Sequence, residues 1–214
     1  MCIRDRDNLG NIWIGTFNGL NRYNKSTGLF QNHTANDIQT DGLTHSSIWC
    51  IVKDNQGTLW LGTYFGGVNY FNPEYEIYTR YSYSSNEKKG LSNPVVGRTI
   101  EDKNGNLWIG TEGGGLNYYN RRTREFKWYR PQEGRNSISH NNVKALYYDA
   151  DKEIIWIGTH LGGLNKLDIR SGHFTHYRME GNNPQSLPSD IIRDITPYKD
   201  LLIIATQNGV CLFN

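Results

Sequence analysis

The tetrapeptide Trp-Ile/Leu-Gly-Thr occurs four times, as Trp13-Ile14-Gly15-Thr16, Trp60-Leu61-Gly62-Thr63, Trp108-Ile109-Gly110-Thr111 and Trp156-Ile157-Gly158-Thr159, with a degenerate fifth copy at Ile203-Ile204-Ala205-Thr206. Successive copies start 47, 48, 48 and 47 residues apart, a period that suits one four-stranded propeller blade per repeat. A period held this constant means that each copy is one unit stacked on the next.

The flanks repeat as well. An Asp-x-x-Gly turn precedes the first three copies, at residues 7–10, 54–57 and 102–105, and Asp149-Ala150-Asp151-Lys152-Glu153 replaces it in the fourth. Downstream come Gly19-Leu20-Asn21, Gly67-Val68-Asn69, Gly115-Leu116-Asn117 and Gly163-Leu164-Asn165. The third unit serves as the template. Residues 95–101 read as the inner strand, 106–111 as the second, 115–120 as the third and 125–130 as the outer edge strand, with Gly105 supplying the positive φ of a tight hairpin turn. Trp108 and Gly110 share one sheet face. The indole is expected to fill the wedge between blades, where the missing side chain of the glycine lets the neighbour approach.

The chain therefore reads as all-β, a β-propeller of four-stranded antiparallel blades. The expected domain is one unit over 1–214, with blade repeats at about 7–42, 43–90, 91–137, 138–185 and 186–214. The first copy lacks a credible inner strand, because Cys2-Ile3-Arg4-Asp5-Arg6 places charges where other copies carry Ile48, Val96 or Val143. The last ends after its third strand. About four and a half blades result, expected to form an open arc or a fragment of a seven-bladed ring, with a small closed five-bladed ring as the alternative.

Composition excludes several classes of function. With 23 basic and 21 acidic side chains, a net charge of +2 gives no field that would draw nucleic acid. Three scattered cysteines, Cys2, Cys50 and Cys211, make neither a disulfide framework nor a zinc site. No segment approaches the roughly 20 apolar residues of a membrane span, and residues 1–6 lack the apolar core of a secretory signal. No cofactor, metal or direct membrane insertion is expected of this chain.

The string Asp102-Lys103-Asn104-Gly105-Asn106-Leu107-Trp108-Ile109-Gly110-Thr111, preceded by Leu91-Ser92 and followed by Gly113-Gly114-Gly115-Leu116-Asn117, resembles the repeat of two-component regulator propellers. The likeness spans residues 7–214. It implies the periplasmic sensor region of a hybrid histidine kinase of the Bacteroidetes type, in which propellers detect breakdown products of complex glycans and signal to a kinase. This chain could carry only the detecting part.

The recurring Asp7, Asp54, Asp102 and Asp149 serve the repeat, since acid and base roles need inequivalent environments; they read as turn residues. The glycines after each Thr precede a strand, whereas a phosphate cradle needs a helix N-terminus. The six histidines show no metalloprotease spacing. Chemistry is therefore sought where the copies differ. The loop leading into each inner strand and the turn between strands two and three share one propeller face. From them, and from the inner strands, come the candidate ligand-binding residues His45, Trp49, Tyr64, Phe65, Arg98, Glu112, His140, Lys144, His160 and Arg193. Aromatic, amide, carboxylate and imidazole groups suit sugar rings and hydroxyls, and Arg98, Lys144 and Arg193 would favour an acidic sugar.

The leading expectation is thus a non-enzymatic, ligand-sensing module that binds an oligosaccharide. Its partners are neighbouring blades or domains of the same sensor, and a second copy in a homodimer. One alternative is an interaction scaffold using Tyr78, Tyr81, Tyr83, Trp128 and Tyr129 of the outer strands. A propeller lyase or hydrolase using Glu112 and His160 is the other.

Overall fold

A computed structural model of the chain describes residues 4–35, 42–74 and 77–214; Cys2 lies outside them. Nearly every ordered element is a strand, grouped into successive antiparallel sheets. The first holds β1 (Arg4–Arg6), β2 (Ile12–Thr16), β3 (Gly19–Tyr23) and β4 (Phe30–His33); the second β5 (Ile48–Lys53), β6 (Leu59–Thr63), β7 (Val68–Asn72) and β8 (Ile77–Tyr81). The third holds β9 (Val96–Glu101), β10 (Leu107–Thr111), β11 (Gly115–Asn120) and β12 (Glu125–Tyr129); the fourth β13 (Val143–Asp149), β14 (Ile154–Thr159), β15 (Leu164–Asp168) and β16 (His173–Tyr177). The fifth has three strands, β17 (Ile192–Tyr198), β18 (Leu201–Thr206) and β19 (Gly209–Phe213). Each sheet is a meander of sequential neighbours, the architecture of a propeller blade. By compactness the chain divides into residues 1–99 and 100–214.

Each residue of the repeated motif has a definite task. Trp13 packs with Ile48, Ile51, Leu59, Leu61 and Phe71 of the second sheet, and Trp108 with Val143, Leu146, Ile155, Ile157 and Phe174 of the fourth. The glycine two residues on is where the next inner strand comes closest. A methyl group on Gly15 would lie 2.6 Å from Ile48 Cγ2, on Gly110 2.5 Å from Val143 Cγ1, and on Gly158 2.5 Å from Ile192 Cγ2. Only hydrogen fits there, so the expected wedge is observed. Gly110→Ala is expected to destabilise by about 1–3 kcal/mol, the usual cost of overpacking, read as a lowered urea midpoint with unchanged slope.

The threonine closes the next hairpin. Its hydroxyl donates to the carbonyl of the glycine that opens the third strand, at 2.9 Å in Thr16–Gly19, Thr63–Gly67, Thr111–Gly115 and Thr159–Gly163, and at 2.8 Å in Thr206–Gly209. These glycines hold φ between 70° and 121°, a region other residues avoid. Their N–H groups reach the following repeat: Gly19 to Ser46 O at 2.8 Å, Gly67 to Pro94 O at 3.0 Å, Gly115 to Asn141 O at 2.7 Å and Gly163 to Asp190 O at 2.9 Å. A backbone bond thus joins adjacent repeats at each of these steps.

The turn aspartates do more than cap. Asp54 Oδ1 accepts from the Gln56 and Thr58 amides and Oδ2 from the Trp60 indole at 2.8 Å. Asp7 and Asp102 hold Trp13 and Trp108 alike, at 2.9 and 3.3 Å. In the fourth copy the inserted residue removes this geometry; Asp149 caps the Lys152 amide, and Glu153 takes the left-handed position at φ 56°. Burial pushes the Asp7 carboxyl up, but hydrogen bonds from Asn11, Trp13 and Leu9 outweigh it and hold the pKa below the usual value. A lowered folded-state pKa stabilises above the unfolded value of about 3.9 and loses that contribution as pH falls through the folded value. The stability gap between the wild type and Asp7→Asn is therefore expected to shrink in chemical melts taken from about pH 5 to about pH 2.5.

The first sheet corrects one expectation. Residues 4–6 do form an inner strand, pairing Arg4 with Ile14, Asp5 with Trp13 and Arg6 with Ile12. Ladder bonds hold so short a strand without an apolar face. In addition, the Asp5 carboxylate accepts the Lys53 amide of β5 at 2.8 Å.

Candidate functional site

The ten candidates divide between the two units. His45, Trp49, Tyr64, Phe65 and Arg98 lie in residues 1–99, and Glu112, His140, Lys144, His160 and Arg193 in residues 100–214. Each set forms contacts of its own.

A feature invisible in sequence unites three of them. The inner-strand register slips between Ile48 and Cys50, between Val143 and Ala145, and between Ile192 and Asp194. Trp49, Lys144 and Arg193 are the residues at these bulges, and a bulge re-aims its side chain out of the pleat. Each meets a residue that follows a motif threonine. Trp49 stacks on Tyr64 with centroids 4.7 Å apart and planes at 24°, Lys144 pairs with Glu112, and Arg193 donates to the Gln207 side chain. Arg98 falls one residue past the equivalent position, in line with the buried Cys50 and Ala145. Gly97 occupies the equivalent place.

The inbound loops and second turns do share a face. The Tyr64 amide bonds to Ser47 O at 3.1 Å, that of His160 to Asn142 O at 2.9 Å and that of Gln207 to Ile191 O at 2.9 Å. Not every polar loop residue is available for a ligand. Thr44 and Ser139 are held by the buried Asn69 and Asn165, whose carboxamides bond both their amides and their hydroxyls at 2.7–3.0 Å. These two belong to the frame. Likewise His45 Nδ1 accepts the Ser47 amide at 3.0 Å and His140 Nδ1 the Asn142 amide at 3.1 Å, as Asn93 Oδ1 accepts that of Val95 at 2.9 Å.

In residues 1–99 the result is an aromatic group. Tyr64 lies edge-on to Phe65 at 4.3 Å, and His45 lies 6.4 and 6.3 Å from the two rings. Phe65 is 57% exposed and Tyr64 37%, large for apolar rings with no structural duty. In residues 100–214 the group is polar. The carboxylate of Glu112 is taken by Lys144, and no hydrogen bond joins Glu112 to His160 among the described residues. Instead His160 faces His140, centroids 6.5 Å apart. Burial, His160 and Arg178 push the His140 pKa down.

The outer-strand aromatics are mostly turned inward. Tyr78 stacks on Phe71 at 4.4 Å, Tyr81 on Trp60 at 5.7 Å, and Tyr129 lies 5.7 Å from Trp108. Trp128 carries the Arg130 guanidinium 4.5 Å from its centroid, and Tyr83 stays exposed. A groove of about 480 Å³ beside β19 is lined by Tyr177, Leu187 and Phe213 among others and contains none of the ten candidates.

Meandering sheets joined by the Trp-Gly wedge define a propeller-repeat protein. The two component regulator propeller family matches at residues 42–65, 90–113 and 137–160. Among solved structures, the extracellular domain of the putative one component system BT4673 from B. thetaiotaomicron is 25% identical with a TM-score of 0.77, over 94% of this chain and 25% of that one. That of the putative hybrid two component system BT3049 from the same organism is 23% identical with a TM-score of 0.60, over 97% and 32%. The fold is also similar to catalytically inactive H270A virginiamycin B lyase from Staphylococcus aureus, at 11% identity and a TM-score of 0.65 over 98% and 68%. No curated protein matches. The chain thus spans a quarter to a third of the length of the extracellular domains it resembles. No helix among the described residues is long and apolar enough to cross a membrane.

Proposed function

We propose that this chain is part of the detecting region of an extracytoplasmic, periplasmic sensor of the hybrid two-component kind. Its ligand is an oligosaccharide, and binding is passed to a kinase outside this chain. The observation that carries the reading is the group of half-buried Trp49 and exposed Tyr64 and Phe65 beside His45, placed by a bulge and a turn that the repeat leaves variable. Aromatic faces flanked by hydrogen-bonding groups are the equipment for stacking on a pyranose and meeting its hydroxyls. The Glu112–Lys144 pair, side chains about one quarter exposed, offers an acceptor and a donor to the same chemistry and no net charge. The partners are the adjoining domains of the sensor and a second copy of it.

Calorimetric titration of the intact sensor region against plant and host oligosaccharides tests the reading. Binding of at least one is expected, without turnover of it. Failure of every glycan to bind contradicts the proposal.

A further inference from the structure

The fourth repeat breaks the Asp–Trp bond and leaves an indole donor over. In the first three repeats the tryptophan N–H is taken by the turn aspartate six residues earlier. Six residues before Trp156 stands Ala150, because this turn is one residue longer. The Asp149 carboxylate is occupied by Lys152, accepting its amide and pairing with its ammonium at 3.4 Å. The Trp156 ring nevertheless keeps the pose of its counterparts. Tyr177 lies 6.0 Å from it and the Lys166 ammonium 5.9 Å, where Trp108 has Tyr129 at 5.7 Å and Tyr118 at 4.7 Å. Its N–H edge is therefore turned, as theirs are, toward the turn. There it has no hydrogen-bond partner among the described residues, although the residue is only 9% exposed. Nor is the nitrogen sealed off: a cavity of about 300 Å³ is lined by Trp156 together with Asp149, Asp151 and Lys152 of that same turn. A buried donor in this state calls for an acceptor.

We propose that this cavity binds a free α-amino acid with an apolar side chain, whose carboxylate accepts from the Trp156 N–H. The first three repeats show which acceptor the position takes, a carboxylate oxygen at 2.8–3.3 Å. Tyr147, paired across the ladder with Trp156, lines the same space and offers a hydroxyl as a second donor. Burial and the Asp149 carboxylate raise its pKa, so that hydroxyl keeps its proton. Three carboxylates, Asp149, Asp151 and Asp200, and two ammonium groups, Lys152 and Lys199, surround the cavity. A simple anion would meet a net negative rim, whereas a zwitterion sets its own ammonium against the exposed Asp151 and Asp200. Pro197, Leu202 and Phe213 supply an apolar wall for the side chain, with Phe213 edge-on to the indole at 5.5 Å. The site lies where the inner strand β13 ends, whereas the loops that carry His140 and His160 lie where it begins. It stands independently of sugar binding.

The test is titration of the 214-residue chain with L-leucine and L-phenylalanine near neutral pH, followed by calorimetry and by the indole N–H signals of nitrogen-15-labelled protein. One site per chain is expected, with the largest shift in the signal that Trp156→Phe removes. That variant keeps a ring in the packing and deletes the donor. It should bind more than about tenfold more weakly, the size of a hydrogen bond to a charged group. L-Leucinamide and L-phenylalaninamide, which lack the carboxylate, should bind the wild type as weakly. The third repeat supplies a second variant. Replacing residues 149–154 by the sequence of residues 102–106 restores an aspartate six residues before the indole, and should abolish binding while the melting temperature is kept or raised. Absence of binding by both amino acids overturns the site, as does undiminished affinity in Trp156→Phe, in the replaced turn or for the amides.

Discussion

Trp108→Ala is expected to destabilise the protein by about 3–5 kcal/mol, the cost of truncating a large buried aromatic. The indole is 2% exposed and its removal empties the contact with Val143, Leu146 and Phe174 of the fourth sheet. It also leaves the Asp102 carboxylate without its indole donor. Losses of this size remove a large part of the net stability of most domains, so the urea midpoint should fall far or folding fail outright. A loss under about 1 kcal/mol would mean that the tryptophan does not fill the space between sheets.

Asp54→Ala is expected to cost about 2–4 kcal/mol although it deletes only a small polar side chain. The Gln56 and Thr58 amides and the Trp60 indole N–H all lose their acceptor, and an unsatisfied buried donor costs roughly 1–3 kcal/mol. Asp54→Asn retains one acceptor oxygen and should lose less. Equal losses in the two variants, read from denaturant melts, would show that the acceptor oxygen retained by Asn contributes nothing to stability.

Periodicity reveals the frame because the frame is local and repeated. The wedge made by Trp and Gly follows from the pleat, and strands β10 to β12 lie within a residue or so of their expected places. The inner strand at residues 4–6 escaped notice, since it is held by ladder bonds and Asp5 rather than by an apolar face. The Asp–Trp bond spans six residues of a single copy and was hidden for a different reason: the aspartate already had a sufficient role in the turn. For the site, the variable positions were legible but their geometry was not. Nothing in the sequence marks Trp49, Lys144 and Arg193 as bulges, because a bulge is a property of the pairing partner's register. Nor does any spacing rule connect His140 to His160 across a strand hairpin. Nor does the sequence show that Thr44 and Ser139 of the inbound loops are held by the buried Asn69 and Asn165.

The central claim is that the repeat builds a frame and that ligand chemistry resides in the residues it leaves free. The most direct measurement is oligosaccharide titration of the intact sensor region carrying Tyr64→Ala together with Phe65→Ala, alongside its thermal melt. Aromatic contacts are worth about 0.5–1.5 kcal/mol each and about 1.4 kcal/mol is a factor of ten. Affinity should therefore drop about tenfold or more while the melting temperature moves by only a few degrees, these rings being surface groups. Undiminished affinity for the glycan in that variant would contradict the claim.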